Sequence, residues 1–261
     1  MNTIFKRFVW IAFYTLLSKE LKRIIRIWPQ TILPSVITSS LYFIIFGNII
    51  GKRIGSMGGF DYTMFVIPGL VMMSVITNSY VNVASSFFGS KFCGSIEEVL
   101  VAPVPEWVLL LSYVMGGVIR GMIVATLVML VSMVFTSITV YSWSITVMVM
   151  LITAFIFSMT GFLNGLLASK FDDVNIIPTF ILTPLSYLGG VFYSISALPP
   201  FWQKISYFNP VIYEISAFRF GILGYKDSID IIYTLTVMII IAVLLFVLCI
   251  KLLKLGKGLK T

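Results

Sequence analysis

Six runs of apolar residues recur along this chain, separated by short connectors rich in proline, glycine and charge. A helix needs about 20 residues to cross a hydrocarbon core. The runs reach from Trp28 to Ile50, Tyr62 to Phe88, Gly116 to Ser137, Trp143 to Ser169, Val174 to Tyr193 and Ile229 to Ile250. Barrel strands would instead appear as alternating segments of about ten residues, and that pattern is missing. The periodicity predicts an all-α membrane protein of six transmembrane helices, forming one domain over 1–261.

The first 27 residues begin like a secretion signal, with Lys6 and Arg7 ahead of the apolar stretch Phe8 to Leu17. Ser18-Lys19-Glu20 offers no small-residue cleavage site, however, and more basic residues follow, so the segment is expected to be retained. Leu17, Leu21, Ile24 and Trp28 share one helical face, with Lys19, Lys22, Arg23 and Arg26 around the other. That arrangement predicts an amphipathic helix over 1–27 lying in the interface.

Charge then orients the runs. With both termini inside, the inner side receives Lys6, Arg7, Lys19, Lys22, Arg23, Arg26, Lys91, Lys170, Lys251, Lys254, Lys257 and Lys260. The outer side receives only Lys52, Arg53, Lys204, Arg219 and Lys226, as the excess of cytoplasmic Lys and Arg requires. Arg120 decides one boundary. A third span starting at Trp107 would bury it near mid-bilayer, at a cost of about 2.5 to 3.5 kcal/mol or more. Starting at Gly116 leaves it one turn inside, free to snorkel as an anchor, with Glu106 to Met115 along the interface.

Composition agrees with the pattern: 59% hydrophobic, 11% charged and no histidine. The net charge of +8 sits at the ends of apolar runs, so it is read as topology, and no nucleic-acid partner is expected. The two cysteines, Cys93 and Cys249, are too few for a disulfide framework or thiolate cluster. Without histidine, serine–histidine catalysis and histidine–metal sites are closed, and no G-x-x-x-x-G-K-[ST] phosphate loop occurs. No catalytic residue, bound cofactor or metal is therefore expected. The ten acidic residues, Glu20, Asp61, Glu97, Glu98, Glu106, Asp172, Asp173, Glu214, Asp227 and Asp230, all fall outside the runs or at their ends. A carrier driven by protons or sodium keeps an ionisable group at membrane depth, so any transport here is expected to draw energy from another chain. Gly47 with Gly51, Gly117 with Gly121, and Gly161 with Gly165 sit four apart and are assigned to close packing within one bundle.

Two connectors stand out. Between the second and third runs, within the connector 89–115, the chain reads KFCGSIEEVLVAPVPEW, Lys91 to Trp107. Ser95 and Glu98 have capping-box spacing, Ile96, Val99 and Leu100 form an apolar side, and Pro103 and Pro105 end the helix. A short amphipathic helix is expected there, either a solvated connector or a piece fitted to a partner's groove. Before the last run, within 194–228, comes LPPFWQKISYFNP, Leu198 to Pro210. Pro199-Pro200 begins one short helix, Asn209 and Pro210 cap and start another, and Gly189-Gly190 loosens the fifth span. Phe201, Trp202, Tyr207, Phe208 and Tyr213 suit a membrane interface. Two short external helices result, as a re-entrant pair or as an ordinary interfacial loop. Glu214 and Arg219 follow in the second of them, too far apart by spacing for a direct pair.

These stretches carry a resemblance. Gly94-Ser95-Ile96-Glu97-Glu98-Val99-Leu100-Val101-Ala102-Pro103-Val104 resembles the cytoplasmic "G-T-x-E-x-L-x-x-x-P-x" segment of type-2 ABC exporter permeases, with Ser95 in the threonine position. Leu188-Gly189-Gly190-Val191-Phe192-Tyr193, Leu198-Pro199-Pro200-Phe201-Trp202 and Asn209-Pro210 match that family's segment before the last span. The resemblance implies a bacterial inner-membrane permease of uncharacterised or multidrug type that dimerises with itself. Two separate cytoplasmic ATPase subunits would bind ATP and magnesium. It further implies that Ile96, Glu97, Glu98, Val99 and Leu100 couple to the ATPase, the choice between the two glutamates being open. Gly189, Gly190, Pro199, Pro200, Phe201, Trp202, Asn209 and Pro210 would narrow the outer exit for an amphipathic, lipid-linked or drug-like cargo. An ATP-independent channel or scaffold is the first rival, and an intramembrane enzyme the second.

Overall fold

The computed structural model describes residues 2–137, 139–226 and 230–258, without the side chains of 2–5, 48 and 52. Ile229, Asp227, Lys260 and the Lys52 side chain, named above, lie outside the described residues. The chain is helical almost throughout. Helix α1 (Asn2–Arg26) leads into a first span made of pieces: α2 (Trp28–Thr31), α3 (Leu33–Tyr42), a wide π-helical stretch (Phe43–Ile50) and α4 (Gly51–Ile54). Pro29 and Pro34 fall in the first turns of α2 and α3, where a missing N–H costs nothing.

A minimal hairpin follows, β1 (Ser56–Met57) against antiparallel β2 (Phe60–Asp61). Gly58 and Gly59 both take positive φ, 62° and 83°, as a tight two-residue turn requires. The long helices are α5 (Tyr62–Phe92), α7 (Glu106–Phe135), α8 (Trp143–Leu167) and α13 (Ile231–Lys254), with short α6 (Ser95–Val101) between α5 and α7. Before α13 come α9 (Phe171–Ile177), a π-helical turn (Pro178–Leu182), α10 (Thr183–Leu188), α11 (Pro200–Ser206) and α12 (Pro210–Leu223). Five helices among the described residues are long and apolar enough to cross a membrane. The α9–α10 segment is a broken sixth, stopping at Leu188 rather than Tyr193 because Gly189 caps it and Gly190 turns away with φ 80°.

Helix α5 is the centre of the bundle, packed chiefly on α8 and α7, with α12 on α8 and α13 outside. Its apolar side chains are enclosed nearly throughout, whereas α13 leaves Val243, Leu244 and Val247 exposed, as a lipid-facing helix does. Close approach rests on glycine. A Cβ at Gly161 would overlap the Tyr80 carbonyl, and at Gly117 it would overlap Ser158 and Val83. Helices α7 and α8 thus press their small residues onto α5 from both sides.

The third span differs from expectation. Helix α7 runs unbroken from Glu106, so Arg120 lies about 21 Å along it. Arg120 does not snorkel; it is 5% exposed and hydrogen-bonded to the bundle. The premise that an arginine must reach the interface fails because α5 supplies polar partners at depth. Helix α1 differs as well: its inward line is Leu16, Glu20 and Ile24, while Trp28 is half exposed. Glu20 lies outside the apolar runs as expected, yet it is 1% exposed rather than at an open interface.

Gly161→Val should separate α8 from α5 and lower the stability of the purified protein by about 1 to 3 kcal/mol, the usual range for overpacking. Gly89, with open space around its Cβ direction, is the control. Gly89→Ala should hold or raise the melting temperature in detergent, and equal losses for both variants would refute the packing account.

Candidate functional site

The site has two ends joined by α5. Helix α6 lies at one end, held beneath the bundle by a left-handed turn at Gly94 (φ 73°). The N-cap is that glycine, and no side chain caps the helix, so the Ser95–Glu98 capping box does not form. Ser95 instead donates its hydroxyl to the Ser90 carbonyl at 3.2 Å. Ile96 is buried, Val99 is half-buried, and Glu97, Glu98 and Leu100 face outward. Val101 is 88% exposed. The extended backbone of Ala102 and the two prolines end α6 as expected.

Several elements converge on the turn above α6. Ser90 accepts from the Tyr113 hydroxyl of α7 at 3.0 Å and from Lys19 of α1 at 3.4 Å. Lys91 is buried and donates to the carbonyls of Leu166 and Ala168, satisfying the open end of α8. Phe88 and Phe92 pack edge-on against Phe171 at the start of α9. The end of α5 above α6 is therefore held by α1, α7, α8 and α9 together.

From this end a polar seam climbs α5. Ser86 donates to both oxygens of Glu20, at 2.8 and 2.7 Å. Glu20 pairs with Arg23 at 3.3 Å, and Arg23 donates onward to Asn82 Oδ1 at 2.7 Å. Arg120 from α7 reaches the same Asn82 oxygen at 3.3 Å, Asn78 Oδ1 at 3.1 Å and the Thr31 carbonyl of α2 at 3.3 Å. Asn78 in turn donates to Ser35 of α3 at 2.9 Å. These residues were not singled out from sequence except Arg120, although Ser74, Asn78, Asn82, Ser86 and Ser90 recur at every fourth position.

At the far end the chain after α10 turns back on itself. Asn209 caps α12, accepting from Val211 N–H at 3.0 Å, and donates to the Leu185 carbonyl of α10 at 2.7 Å. Pro199 and Pro200 start α11, and Pro210 starts α12, as the prolines predicted. The loop Gly189 to Phe192 is tethered by Arg219 to the Gly190 carbonyl at 2.7 Å and by the Tyr62 hydroxyl to the Phe192 carbonyl at 3.1 Å. Arg219 also lies 3.9 Å over the Phe65 ring, and Val191 fits against Gly69, where a Cβ would leave no room. Glu214, by contrast, is buried in α12 and 1% exposed, which its place outside the apolar runs did not suggest.

Phe201 and Trp202 are exposed, whereas Phe192 stacks on Phe46 of the first span at 4.3 Å. Tyr42 and Tyr187 join the cluster through hydroxyls 2.9 Å apart. The contact between the far-end loop and the first span is therefore made by Phe192, which the sequence motif contained but which was not placed among the narrowing residues.

A glycine-packed bundle of long apolar helices is the architecture of a multi-pass membrane protein. The chain belongs to the ABC-2 type transporter family, whose model matches residues 11–223. It is 52% identical over 252 residues to the inner membrane transport permease YadH of Escherichia coli (strain K12), covering 97% of this chain and 98% of that one. It is also 22% identical over 205 residues to nodulation protein J of Neorhizobium galegae, with 77% of each chain covered. A similar protein of that description from Sinorhizobium fredii is 23% identical over 199 residues.

Asn209→Ala removes both the cap and the bond to α10, and should lower stability by about 1 to 2 kcal/mol. Asn209→Asp keeps the acceptor for Val211 but loses the donor to Leu185, so its melting temperature should fall between the other two. An alanine variant as stable as the parent would show that neither bond contributes.

Proposed function

We propose that this permease forms, as a homodimer, the export pathway of an ATP-driven transporter in a bacterial inner membrane. Both termini face the cytoplasm in this reading. Two separate ATPase subunits supply the energy, with ATP and magnesium bound on those chains. The observation that carries the reading is α6, whose Ile96 anchors it to the bundle while Glu97, Glu98, Leu100 and Val101 face away from it. Exposed apolar side chains beside two carboxylates fit a protein groove better than water.

Closure of the ATPase pair would move α6, and the shared anchorage at Ser90 and Lys91 would pass that movement to α5. Helix α5 runs on to Gly69, against which the loop at Val191 rests, so the displacement reaches the contact between Phe192 and Phe46. The gate is assigned to that loop and to the α11–α12 pair, with Gly189, Gly190, Pro199, Pro200, Asn209 and Pro210 setting the turns. Phe201 and Trp202 serve as interface anchors around it. An amphipathic cargo suits a pathway bordered by hydroxyls and amides with few charges. An ATP-independent channel would need no outward-facing coupling helix.

Charge reversal of both Glu97 and Glu98 to lysine tests this. Both side chains are exposed, so insertion and thermal stability should be unchanged. ATPase turnover in reconstituted vesicles should cease to respond to the permease, with transport lost. Normal coupling in the double variant would overturn the assignment of α6.

A further inference from the structure

The polar seam contains more positive than negative charge. Arg23 and Arg120 share one amide oxygen, that of Asn82, at 2.7 and 3.3 Å, and Lys19 lies close by on Ser90. Glu20 is the carboxylate of the group, and both its oxygens are engaged with Ser86 while one also meets Arg23. Every acceptor given for Arg120 is neutral: two amide oxygens and the Thr31 carbonyl. Among the described residues the Arg23–Glu20 contact is the ion pair, and no carboxylate of them touches the Arg120 guanidinium. Two buried donors in the same cluster, Arg120 Nε and Asn82 Nδ2, also find no acceptor among the described residues. A cation taken out of water without a counter-charge is costly, and such groups in membrane proteins mark binding or transport paths.

An open groove comes within one side chain of this charge, with Asn78 between them. It lies between α3 and α5, holds about 210 Å³, and is bordered by Ser35, Thr38, Ser39, Ser74, Thr77 and Asn78, with Tyr42, Leu70 and Met73 completing the wall. Lipid needs no hydroxyls, and a row of them on an uncovered face indicates a polar occupant. Asn78, 3% exposed, joins the two features: it lines the groove, and its Oδ1 is held by Arg120 at 3.1 Å. The groove volume suits a head group, while exposed Ile37 and Leu41 beside it on α3 suit an apolar chain.

We propose that the cargo class is an anionic amphiphile, whose phosphate- or carboxylate-bearing head rests on the hydroxyls of Ser35, Thr38 and Thr77, with Arg120 behind Asn78 as counter-charge. This deepens the export reading and rests on it, since it assigns the groove to the pathway. In a medium of low polarity the attraction between the head and a guanidinium one amide away is strong enough to select charge sign. The apolar chain contributes affinity along α3, and a neutral amphiphile loses only the charge-dependent part.

Equilibrium binding to the full-length permease in nanodiscs of zwitterionic lipid tests this without ATP or the ATPase. The probes are decyl phosphate, decanol and inorganic phosphate, with empty nanodiscs subtracted. Decyl phosphate should bind about tenfold or more tighter than decanol, in keeping with a charge-assisted contact. Arg120→Gln should reduce that preference to about twofold or less, and Arg120→Lys, which keeps the charge but not the fork, should retain most of it. Thr77 is exposed on the groove rim, so Thr77→Trp should fold normally and block decyl phosphate. If Arg120→Gln does not fold, the Thr77→Trp result decides. Equal binding of decyl phosphate and decanol, undiminished preference in Arg120→Gln, or unaltered binding in Thr77→Trp would each overturn the proposal. So would full displacement by inorganic phosphate at equal concentration, which would point to a free anion. Failure here with ATPase coupling lost on the Glu97 and Glu98 reversal sinks only the cargo assignment, whereas normal coupling in that double variant bears on the export reading.

Discussion

A polar stripe on one helix organises the whole bundle. Ser74, Asn78, Asn82, Ser86 and Ser90 recur at every fourth position of α5, and each is bonded to a different part of the chain. Ser74 meets Ser39, Asn78 meets Ser35 and Arg120, Asn82 meets Arg23 and Arg120, Ser86 meets Glu20, and Ser90 meets Lys19, Tyr113 and Ser95. In hydrocarbon there is no hydrophobic drive to bring one apolar helix to another, so packing and interhelical hydrogen bonds must supply it. Four steps of 100° advance the stripe by about 40° each time, which winds it around α5. That winding brings α3, α1 and α7 onto one helix at successive heights.

The far end relies on the same logic with backbone in place of side chains. The segment from Gly189 to Phe192 is irregular, and irregular backbone at membrane depth survives only where protein satisfies its carbonyls. Arg219 takes the Gly190 carbonyl and Tyr62 takes that of Phe192. The guanidinium also covers the Phe65 ring, so its charge is spread over polar and aromatic neighbours on α5 and the loop. The loop is thus pinned at two carbonyls, one by α12 and one by α5, and seated on Gly69 of α5.

The helices were legible in the sequence because each run has the length that the bilayer demands, and prolines marked α6, α11 and α12 to within a residue or two. The glycine spacing was legible for the same reason, since only close approach explains it. The start of α7 was not, because Arg120 was weighed against lipid alone. Its true surroundings, Asn78 and Asn82, come from another helix, and pairing across helices leaves no mark in local periodicity. Glu20 was hidden likewise: the apolar face drawn through Leu17, Leu21 and Trp28 treats α1 as lying on lipid, whereas its real contact is a serine of α5. The fourfold recurrence of polar residues inside a long apolar run was visible, and it was the one available sign that α5 is central.

Helix α5 gives the molecule its mechanical character. Its 31 residues extend about 46 Å, more than a hydrocarbon core requires. One end is locked to α6 through the Gly94 turn and Ser90, and the other carries Gly69 and Tyr62 beneath the far-end loop. Hydrogen bonds along the stripe hold α1, α3 and α7 to the same shaft, so a displacement of α5 by itself would have to break several of them at once. Moving the shaft with its attached helices leaves those bonds intact and instead strains the contact with α8, which Lys91 pins at one end through the Leu166 and Ala168 carbonyls and which close packing at Gly161 and Gly165 makes along the rest. Smooth glycine faces slide at lower cost than paired polar groups separate. The dividing line between moving parts is therefore expected to run along the glycine-packed part of the α5–α8 seam, beyond the Lys91 anchorage.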